Sequence, residues 1–245
     1  MSALAAANAQ EVPFTVAKGT ATFARSADNK TITIAQTTPR AVLDWSEIVL
    51  PADETLNFVQ PNNLSITLNR STATTTLPFQ IDGTVNANGQ VWILNPKGTI
   101  IGSTGSVNAA GFLATTASID PDVFMANSNG SFVFSGATEA AITNEGQINV
   151  PSGYAVLAGR NVENRNSGAL ISASLGKIAL GGGRDFTIDF AGNGLVSFLV
   201  ADPAAATTAG DTVSNFSNSV KNSGTIEANG GTILMTVRSA VDIIG

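Results

Sequence analysis

Cysteine and histidine are both absent from the 245-residue sequence. Without cysteine there is no disulfide framework and no thiolate nucleophile. Without histidine the chain lacks the most common general base and the most common metal ligand, which excludes Ser-His-Asp catalysis and most zinc chemistry. We therefore expect neither a cofactor nor a bound metal.

Charged residues are also scarce, at 12% of the chain, which is about half of the usual share of roughly a quarter. The net charge of −6 argues against binding to nucleic-acid phosphates, which requires clustered lysine and arginine. No apolar run approaches the roughly 18 residues that a membrane-spanning helix needs. Apolar residues still make up 43% of the chain, so the composition favours a folded, β-rich protein with a neutral polar surface.

The first ten residues differ in character from the rest. Ala7-Asn8-Ala9 matches the small-residue cleavage site of a secretory signal peptide, but the basic part and most of the apolar part of such a peptide are missing. We interpret residues 1–10 as the trimmed end of a signal peptide, or alternatively as an Ala-rich start added by cloning.

A short glycine motif recurs along the chain. Gly83-Thr-Val-Asn-Ala-Asn-Gly89 returns as Gly224-Thr-Ile-Glu-Ala-Asn-Gly230, and related copies lie between them. Their separations of 22, 41, 22 and 56 residues indicate a period near 22 with longer insertions. The repeat glycines are Gly83, Gly105, Gly146, Gly168 and Gly224.

Alternating apolar residues accompany the repeat glycines, so each copy reads as strand, turn, strand with one face inward. Two such inward sets are Val85, Ala87, Val91 and Ile93, and Ile226, Ala228, Ile233 and Met235. One such copy cannot bury its own apolar face, so stability must come from stacking. The sequence therefore predicts an all-β fold, a parallel β-helix, right-handed by the strong preference of parallel crossovers.

Three asparagines, Asn144, Asn166 and Asn222, each lie two residues before a repeat glycine. If the coils stack in register, the three would align as an asparagine ladder. The alternative is that they are three independent turn residues.

Segments without the glycine motif predict a cap and two excursions. We assign residues 11–80 to an N-terminal cap with the first coils, since a solenoid needs a cover over its open end, and expect Trp45 in the cap core. Residues 119–137 carry Asn-Gly between apolar residues and predict a β-hairpin. Residues 185–218 predict extra-helical strands, with Phe186, Ile188 and Phe190 sharing one face.

The remaining segments, 81–118, 138–184 and 219–245, are predicted to be coils of one domain that spans residues 11–245. The last of them still shows apolar alternation at its end. An uncovered solenoid end is an exposed edge, so we expect the natural protein to continue beyond residue 245.

Six segments follow one another in a specific order: Ala41-Val-Leu-Asp-Trp45, Leu56-Asn-Phe58-Val-Gln-Pro61, Leu68-Asn-Arg70, Ile81-Asp-Gly-Thr-Val-Asn-Ala-Asn-Gly-Gln-Val91, Leu94-Asn-Pro-Lys-Gly98 and Gly111-Phe-Leu-Ala-Thr-Thr116. Together they resemble the secretion domain of two-partner-secretion exoproteins, which include the filamentous-haemagglutinin-like adhesins. The resemblance covers nearly the whole chain.

The resemblance implies a right-handed parallel β-helix with an N-terminal cap and extra-helical strands. It also implies export through the periplasm, where the periplasmic POTRA-type domains of a dedicated outer-membrane transporter recognise the domain and the domain templates folding of the solenoid behind it. We expect a monomer that is secreted or displayed on the bacterial surface. Proteins that share such a domain include adhesins, haemolysins, haem scavengers and contact-dependent toxins, so the resemblance leaves the effector function open.

The segment Asn95-Pro96-Lys97-Gly98 stands where the family usually has Asn-Pro-Asn-Gly, so Lys97 adds a charge. These residue types are favoured in a type I turn, and closing a corner would explain all of them. The resemblance adds a role in secretion. The second family loop, Asn-Pro-Asn-Leu, has only a remnant here, at Asn62-Asn-Leu64.

Asn69, Arg70 and Trp92 complete the candidate contact residues for the transporter. We expect Arg70 to pair with a nearby carboxylate, such as Asp44 or Glu47, in preference to an acidic surface of the partner. Trp92 alternates with its apolar neighbours and is expected to face outward, either as a partner contact or as an isolated surface residue.

Two other functions stay open: an adhesive module that binds host glycans or proteins, and a polysaccharide-active β-helix enzyme. The enzyme would need a carboxylate pair, and the close pairs are Asp120 with Asp122 and Asp185 with Asp189. No lysine or arginine cluster accompanies either pair, and Asp185 and Asp189 lie on the polar face of an amphipathic strand. We therefore expect no catalytic activity.

Overall fold

The fold is a three-sided parallel β-helix. A computed structural model describes residues 14–72, 74–190, 197–200 and 219–237, with only the backbone for 197–200 and 219. Within these residues the chain forms two cap strands, six coils of three strands each and two strands of a seventh. Residues 1–10, the parts 191–196 and 201–218 of the predicted excursion, and the end of the last coil at 238–245 lie outside the described part of the chain.

The cap strands are β1 (Phe14–Lys18) and β2 (Ala21–Arg25). The first three coils are β3 (Thr31–Gln36), β4 (Arg40–Trp45) and β5 (Val49–Leu50); β6 (Thr55–Val59), β7 (Ile66–Ser71) and β8 (Phe79–Ile81); and β9 (Thr84–Ala87), β10 (Gln90–Leu94) and β11 (Thr99–Ile101).

The fourth coil is β12 (Ser106–Asn108) and β13 (Gly111–Thr115), an excursion of α1 (Pro121–Ala126) and β14 (Ser131–Phe134), and β15 (Ala141–Asn144). The fifth is β16 (Gln147–Asn149), β17 (Tyr154–Gly159) and β18 (Asn161–Asn164). The sixth is β19 (Leu170–Ser172) and β20 (Lys177–Gly182), an excursion of β21 (Phe186–Asp189) and β22 (Ser197–Val200), and β23 (Ser219–Asn222). The described chain ends with β24 (Thr225–Glu227) and β25 (Thr232–Thr236).

Each coil gives one strand to each of three sheets. Sheet 1 has the order β2-β3-β6-β9-β12-β16-β19-β24, sheet 2 the order β1-β4-β7-β10-β13-β17-β20-β25, and sheet 3 the order β23-β18-β15-β11-β8-β5. All neighbours pair in parallel except at the cap, where β1 runs antiparallel to β4 and β2 antiparallel to β3. The predicted parallel β-helix with an N-terminal cap and extra-helical strands is confirmed.

The interior is a set of aliphatic columns that run from coil to coil. In sheet 1 one column is continuous in register: Ile32, Leu56, Val85, Val107, Ile148, Ile171 and Ile226. Its residues are buried or packed against the same core, as the alternation at Val85 and Ile226 predicts. At the cap end Trp45 is buried against Phe14, with ring centroids 4.9 Å apart, which confirms its predicted place in the cap core.

Four of the five repeat glycines stack directly before sheet 1 strands. A Cβ on Gly83, Gly105, Gly146 or Gly224 would lie within 2.6 Å of a backbone carbonyl oxygen, because neighbouring coils approach closely there. The prediction for Gly168 is wrong. Ala169 directly precedes β19 and takes the stacked position, while a Cβ on Gly168 would meet open space.

The asparagine ladder exists, but with one different member. Asn144 Nδ2 donates to Asn164 Oδ1 at 2.7 Å, and Asn164 Nδ2 donates to Asn222 Oδ1 at 2.7 Å. The prediction of Asn166 as a member is wrong, since it lies beyond β18 in a turn with φ +75°. The ladder forms from the last residues of paired sheet 3 strands. Strand register therefore decides which asparagines belong to it, whereas the number of residues to the next repeat glycine does not.

The predicted hairpin at 119–137 is also wrong. Asp120 caps α1 by accepting backbone N–H bonds from Asp122 at 2.8 Å and Val123 at 3.1 Å, and Pro121 suits the first turn of a helix. The following strand β14 pairs antiparallel with β21, which pairs antiparallel with β22. The partner of β14 therefore comes from residues more than fifty positions later in the chain.

This three-stranded extra-helical sheet covers the outer face of sheet 2. Phe186 and Ile188 are buried there and Phe190 packs against the same cluster, as the alternation predicts. The sheet 2 residues beneath form a second apolar column in register: Val42, Leu68, Trp92, Leu113, Val156, Ala179 and Leu234. This column on the outer face of sheet 2 is therefore buried, while Asp44 and Arg70, two positions further along their strands, stay partly exposed.

Candidate functional site

Arg70 pairs with Asp44, as the sequence predicts. The two residues are register partners on the adjacent strands β7 and β4. The pair is bidentate, with Nη2 of Arg70 3.0 Å from Oδ2 of Asp44 and a second bond from Nε to Oδ1. Both side chains are partly exposed, at 31% for Arg70 and 23% for Asp44, so the pair lies at the surface of the coil.

The neighbouring Asn69 points the other way, into the coil. It is buried, and its Oδ1 accepts a hydrogen bond from Trp45 Nε1 at 2.9 Å. Its Nδ2 donates to the carbonyl oxygens of Thr67 and Trp92. Asn69, in the second coil, thus joins the first coil to the third and has no exposed surface for a partner.

The turn at Asn95 follows β10. The N–H of Gly98 donates to the Asn95 carbonyl at 2.8 Å, which closes the turn, and the N–H of Lys97 donates to Asn95 Oδ1 at 2.9 Å. Asn95 is buried, and its Nδ2 donates to the carbonyl of Leu77 at 3.0 Å. Gly98 has φ +98°, and a Cβ there would lie 2.4 Å from the Ala141 carbonyl oxygen.

Asn95 and Gly98 therefore shape the turn, while Pro96 and Lys97 form its exposed tip. The turn is tied to the next coil because Thr138 Oγ1 donates to the Pro96 carbonyl at 2.6 Å. In this segment the residues that can reach a partner are the proline and the lysine.

The Arg70 pair and the turn meet in one groove of about 360 Å³. We call it the Arg70 groove; it is lined by Asp44, Arg70, Ser71, Thr72, Leu94, Pro96, Ala117, Ser118 and Ile119. Its walls come from β4, β7, β10 and the chain after β13, so parallel stacking brings together residues far apart in sequence. The sequence predicts the two motifs separately but not that they share a groove.

The prediction that Trp92 is exposed is wrong. The alternation does place it on the outer face of the coil, but it has no exposed surface, because the extra-helical sheet lies over it. Its ring centroid is 4.8–5.9 Å from those of Phe132, Phe124, Phe190 and Phe134. Trp92 therefore cannot contact a partner in the folded domain.

Two residues that the sequence did not single out hold this cluster together. Tyr154 accepts a hydrogen bond from Trp92 Nε1 at 2.7 Å and donates to Gln90 Oε1, and burial raises the pKa of its phenol. Arg40 donates to the carbonyls of Phe124 at 2.7 Å and Asn127 at 2.5 Å, and burial lowers the pKa of its guanidinium. The many aromatic residues in 119–137 were a sequence signal for such a cluster, but nothing in the sequence connects that segment with Arg40.

The carboxylate pairs considered for catalysis have structural partners. Asp120 caps α1, Asp122 forms a 2.8 Å ion pair with Lys18, and Asp185 Oδ1 accepts the Gly136 N–H at 2.7 Å. Among the described residues, no three histidine, cysteine, aspartate or glutamate side chains group as metal ligands. The described chain also contains no helix with the length and apolar character of a membrane span.

Comparison with known proteins gives a consistent result. The family model described as the TPS secretion domain matches residues 9–243. Two heme/hemopexin-binding proteins of Haemophilus influenzae are similar. The one from strain Rd is 32% identical over 162 residues, which are 64% of this chain and 17% of the relative. The other is 34% identical over 102 residues, 42% of this chain and 11% of the relative.

The crystal structure of the HMW1 secretion domain from Haemophilus influenzae has a similar fold. Its TM-score is 0.76 at 30% sequence identity, and the match covers 91% of this chain and 54% of that chain. The chain thus spans 17% or less of the length of the curated relatives.

Proposed function

Because the chain belongs to the TPS secretion domain family, we propose that it directs export of a larger exoprotein by presenting the Arg70 groove to the periplasmic domains of an outer-membrane transporter. The observation that carries this proposal is the convergence of two family-like motifs, around Arg70 and around Asn95, on one groove. The proposed role is binding, without a catalytic step.

The chemistry of the groove suits a protein partner. The bidentate pair with Asp44 holds the Arg70 guanidinium in a fixed orientation, and the partly exposed fork keeps donors available at the rim. Leu94, Ala117 and Ile119 supply an apolar floor. Lys97 at the exposed tip adds a positive charge to the edge, in a chain whose net charge is −6. An apolar floor with a polar, charged rim is the usual anatomy of a specific interface.

The coil architecture supports a second part of the proposal, that the folded coils template those that follow. The parallel register is continuous from β3 to β24 in sheet 1, and each strand bonds to the equivalent strand of the coil before it. A solenoid of this kind adds one coil at a time onto an existing edge. Export through the periplasm in an unfolded form, followed by coil-by-coil folding outside, fits this architecture.

The test replaces the exposed charge and leaves the fold alone. We expect Lys97→Glu to lower the secreted fraction severalfold in cells that carry the cognate transporter, and to weaken binding of the purified domain to the transporter's periplasmic domains. The thermal unfolding midpoint should not change, since Lys97 is exposed.

Lys30→Glu is the matched control. Lys30 is an exposed lysine in an ion pair with Asp53, and surface pairs of this kind contribute little to stability. Export and binding of Lys30→Glu should equal those of the unmodified chain. Wild-type secretion and binding of Lys97→Glu would contradict the proposal.

A further inference from the structure

A second groove, of about 710 Å³, runs along the outer face of sheet 1 and plays no part in the proposed function. Its floor carries asparagines at equivalent positions of four successive coils: Asn57, Asn86, Asn108 and Asn149. Thr33 continues the row in the first coil. Five strands at ~4.8 Å spacing make the row about 19 Å long.

The asparagines form an outer ladder, distinct from the buried one in sheet 3. Asn86 Nδ2 donates to Asn57 Oδ1 at 3.1 Å, and Asn108 Nδ2 donates to Asn86 Oδ1 at 3.1 Å. A carboxamide has two N–H donors and two oxygen lone pairs. The ladder uses one of each at Asn86, so one donor and one acceptor remain for a ligand. The ladder also fixes the amide orientations before any ligand arrives.

The rest of the groove lining is mostly apolar, with Asn88 and Ser152 as its polar members. Val59 is 53% exposed, and Ala110 and Pro151 line the same side. Among the described residues, the lining contains no lysine, arginine, aspartate or glutamate. A charged polymer would therefore find no counter-charge in this groove, and the ligand that fits should be neutral.

An extended peptide is a poor match for this floor. Interior strands such as β9 and β12 already pair on both sides, so a peptide cannot join the sheet through main-chain hydrogen bonds. Hydroxyl groups, in contrast, both donate and accept, as a carboxamide does. Sugar rings also carry C–H faces that can pack on alanine, valine and proline.

We propose that this groove binds a neutral, linear oligosaccharide of β-linked hexopyranoses. The chain would lie along the column of asparagines, with ring hydroxyls on the amides and ring faces against the Val59 side. If one ring spans one coil, roughly four rings fill the groove, given the ~4.8 Å coil spacing. An open groove with single hydrogen bonds to each ring favours weak, millimolar binding.

The test is a titration of the ¹⁵N-labelled 245-residue chain with cellohexaose and with chitohexaose, followed by NMR. We expect shifts of the side-chain amides of Asn57, Asn86 and Asn108 with at least one of the two sugars, and none with a heparin hexasaccharide or a neutral hexapeptide. Asn86→Ala should weaken sugar binding about fivefold, the usual effect of one lost hydrogen bond.

Two further variants keep the result decisive. Val59→Asp changes an exposed residue at the groove side and should also weaken binding, while Gln147→Ala removes an exposed amide outside the lining and should not. Absence of groove shifts with both neutral sugars, equal binding by Asn86→Ala and Val59→Asp, or preference for the heparin fragment or the peptide would overturn the proposal. Transporter binding by Asn86→Ala should be unchanged, so failure here is distinguishable from failure of the export proposal.

Discussion

The interior of the coils and the outer face of sheet 2 are both tightly packed, but they are built differently. The interior columns are aliphatic, and each residue contacts its equivalent one coil away. The outer cluster is aromatic, centred on Trp92, and draws on α1, β14 and β21. Its hydrogen bonds span long distances, 62 residues from Trp92 to Tyr154 and 87 from Arg40 to Asn127.

This difference suggests an order of folding. An interior column can grow as each coil arrives, because it needs only the previous coil. The aromatic part of the outer cluster is complete only when the chain up to Phe190 has been added. A domain that leaves a transporter in sequence order would therefore close its aromatic face only after the first five coils have formed, which two matched substitutions can test.

The largest effect is expected at the centre of the outer cluster. Trp92→Ala should lower the free energy of unfolding by about 3–5 kcal/mol, because it removes a fully buried ring and its hydrogen bond. If the cluster forms late, most of this loss appears as faster unfolding, with little change in the folding rate. Stopped-flow folding in denaturant measures both rates.

Ile148→Ala in the interior column is the comparison, with an expected loss of about 2–5 kcal/mol. Here the loss should appear mainly as slower folding, since the column forms with the coils. If the loss of stability is shared between the folding and unfolding rates in the same proportion in both variants, the proposed order of folding is contradicted.

A smaller effect is expected from the buried asparagine ladder, which tests whether polar stacking also holds the interior. Asn164→Ala should cost about 1–3 kcal/mol, because it removes from the ladder both the acceptor of the Asn144 amide and the donor to Asn222. Asn166→Gly is the control: its φ of +75° suits glycine, so its stability should change by less than about 0.5 kcal/mol. Equal losses in a urea titration would contradict the assignment of Asn164.

The third expected effect is a loss of stability at high pH that comes from Tyr154 in the outer cluster. Tyr154 is the only tyrosine of the chain, and burial raises its pKa above the usual 10.0. Above pH 10 the unfolded chain loses this proton and the folded chain keeps it. The Tyr154 contribution to stability should therefore be complete below pH 10 and fall by about 1.4 kcal/mol per pH unit above it.

Tyrosinate absorbance measures this directly. It should stay absent above pH 10 for as long as the protein is folded, and rise together with unfolding. In Tyr154→Phe this part of the alkaline destabilisation should disappear. A phenolate signal near pH 10 in the folded protein would mean that the cluster is open to water.

The difference between the interior columns and the outer cluster also explains which features the sequence could predict. The aliphatic columns, the stacked glycines at Gly83 and Gly224 and the pairing of Arg70 with Asp44 all depend on alternation, period and nearby charge. The burial of Trp92 depends on a sheet whose strands lie far away in the sequence, so alternation gave the correct face but the wrong exposure. Asn164 and Ala169 were missed because the turn after β18 is longer: five positions separate Asn164 from Ala169, against two from Asn144 to Gly146 and from Asn222 to Gly224.

The Arg70 groove was predictable from the sequence only in part. Its motifs at Arg70 and Asn95 are recognisable in the sequence. The two motifs meet in one groove because the coils stack. Because Asn95 is buried, only Pro96 and Lys97 are exposed at the turn. The motifs could therefore be identified from the sequence, but which of their residues are exposed is seen only in the structure.

Site-specific photocrosslinking in cells that export the protein tests the central proposal most directly. A photoreactive amino acid replaces Lys97 beside the Arg70 groove, or Gln147 on the exposed face of sheet 1. We expect position 97 to crosslink to the periplasmic domains of the transporter and position 147 to give no such product. Crosslinking from position 147 with none from position 97 would show that the transporter reads a different surface.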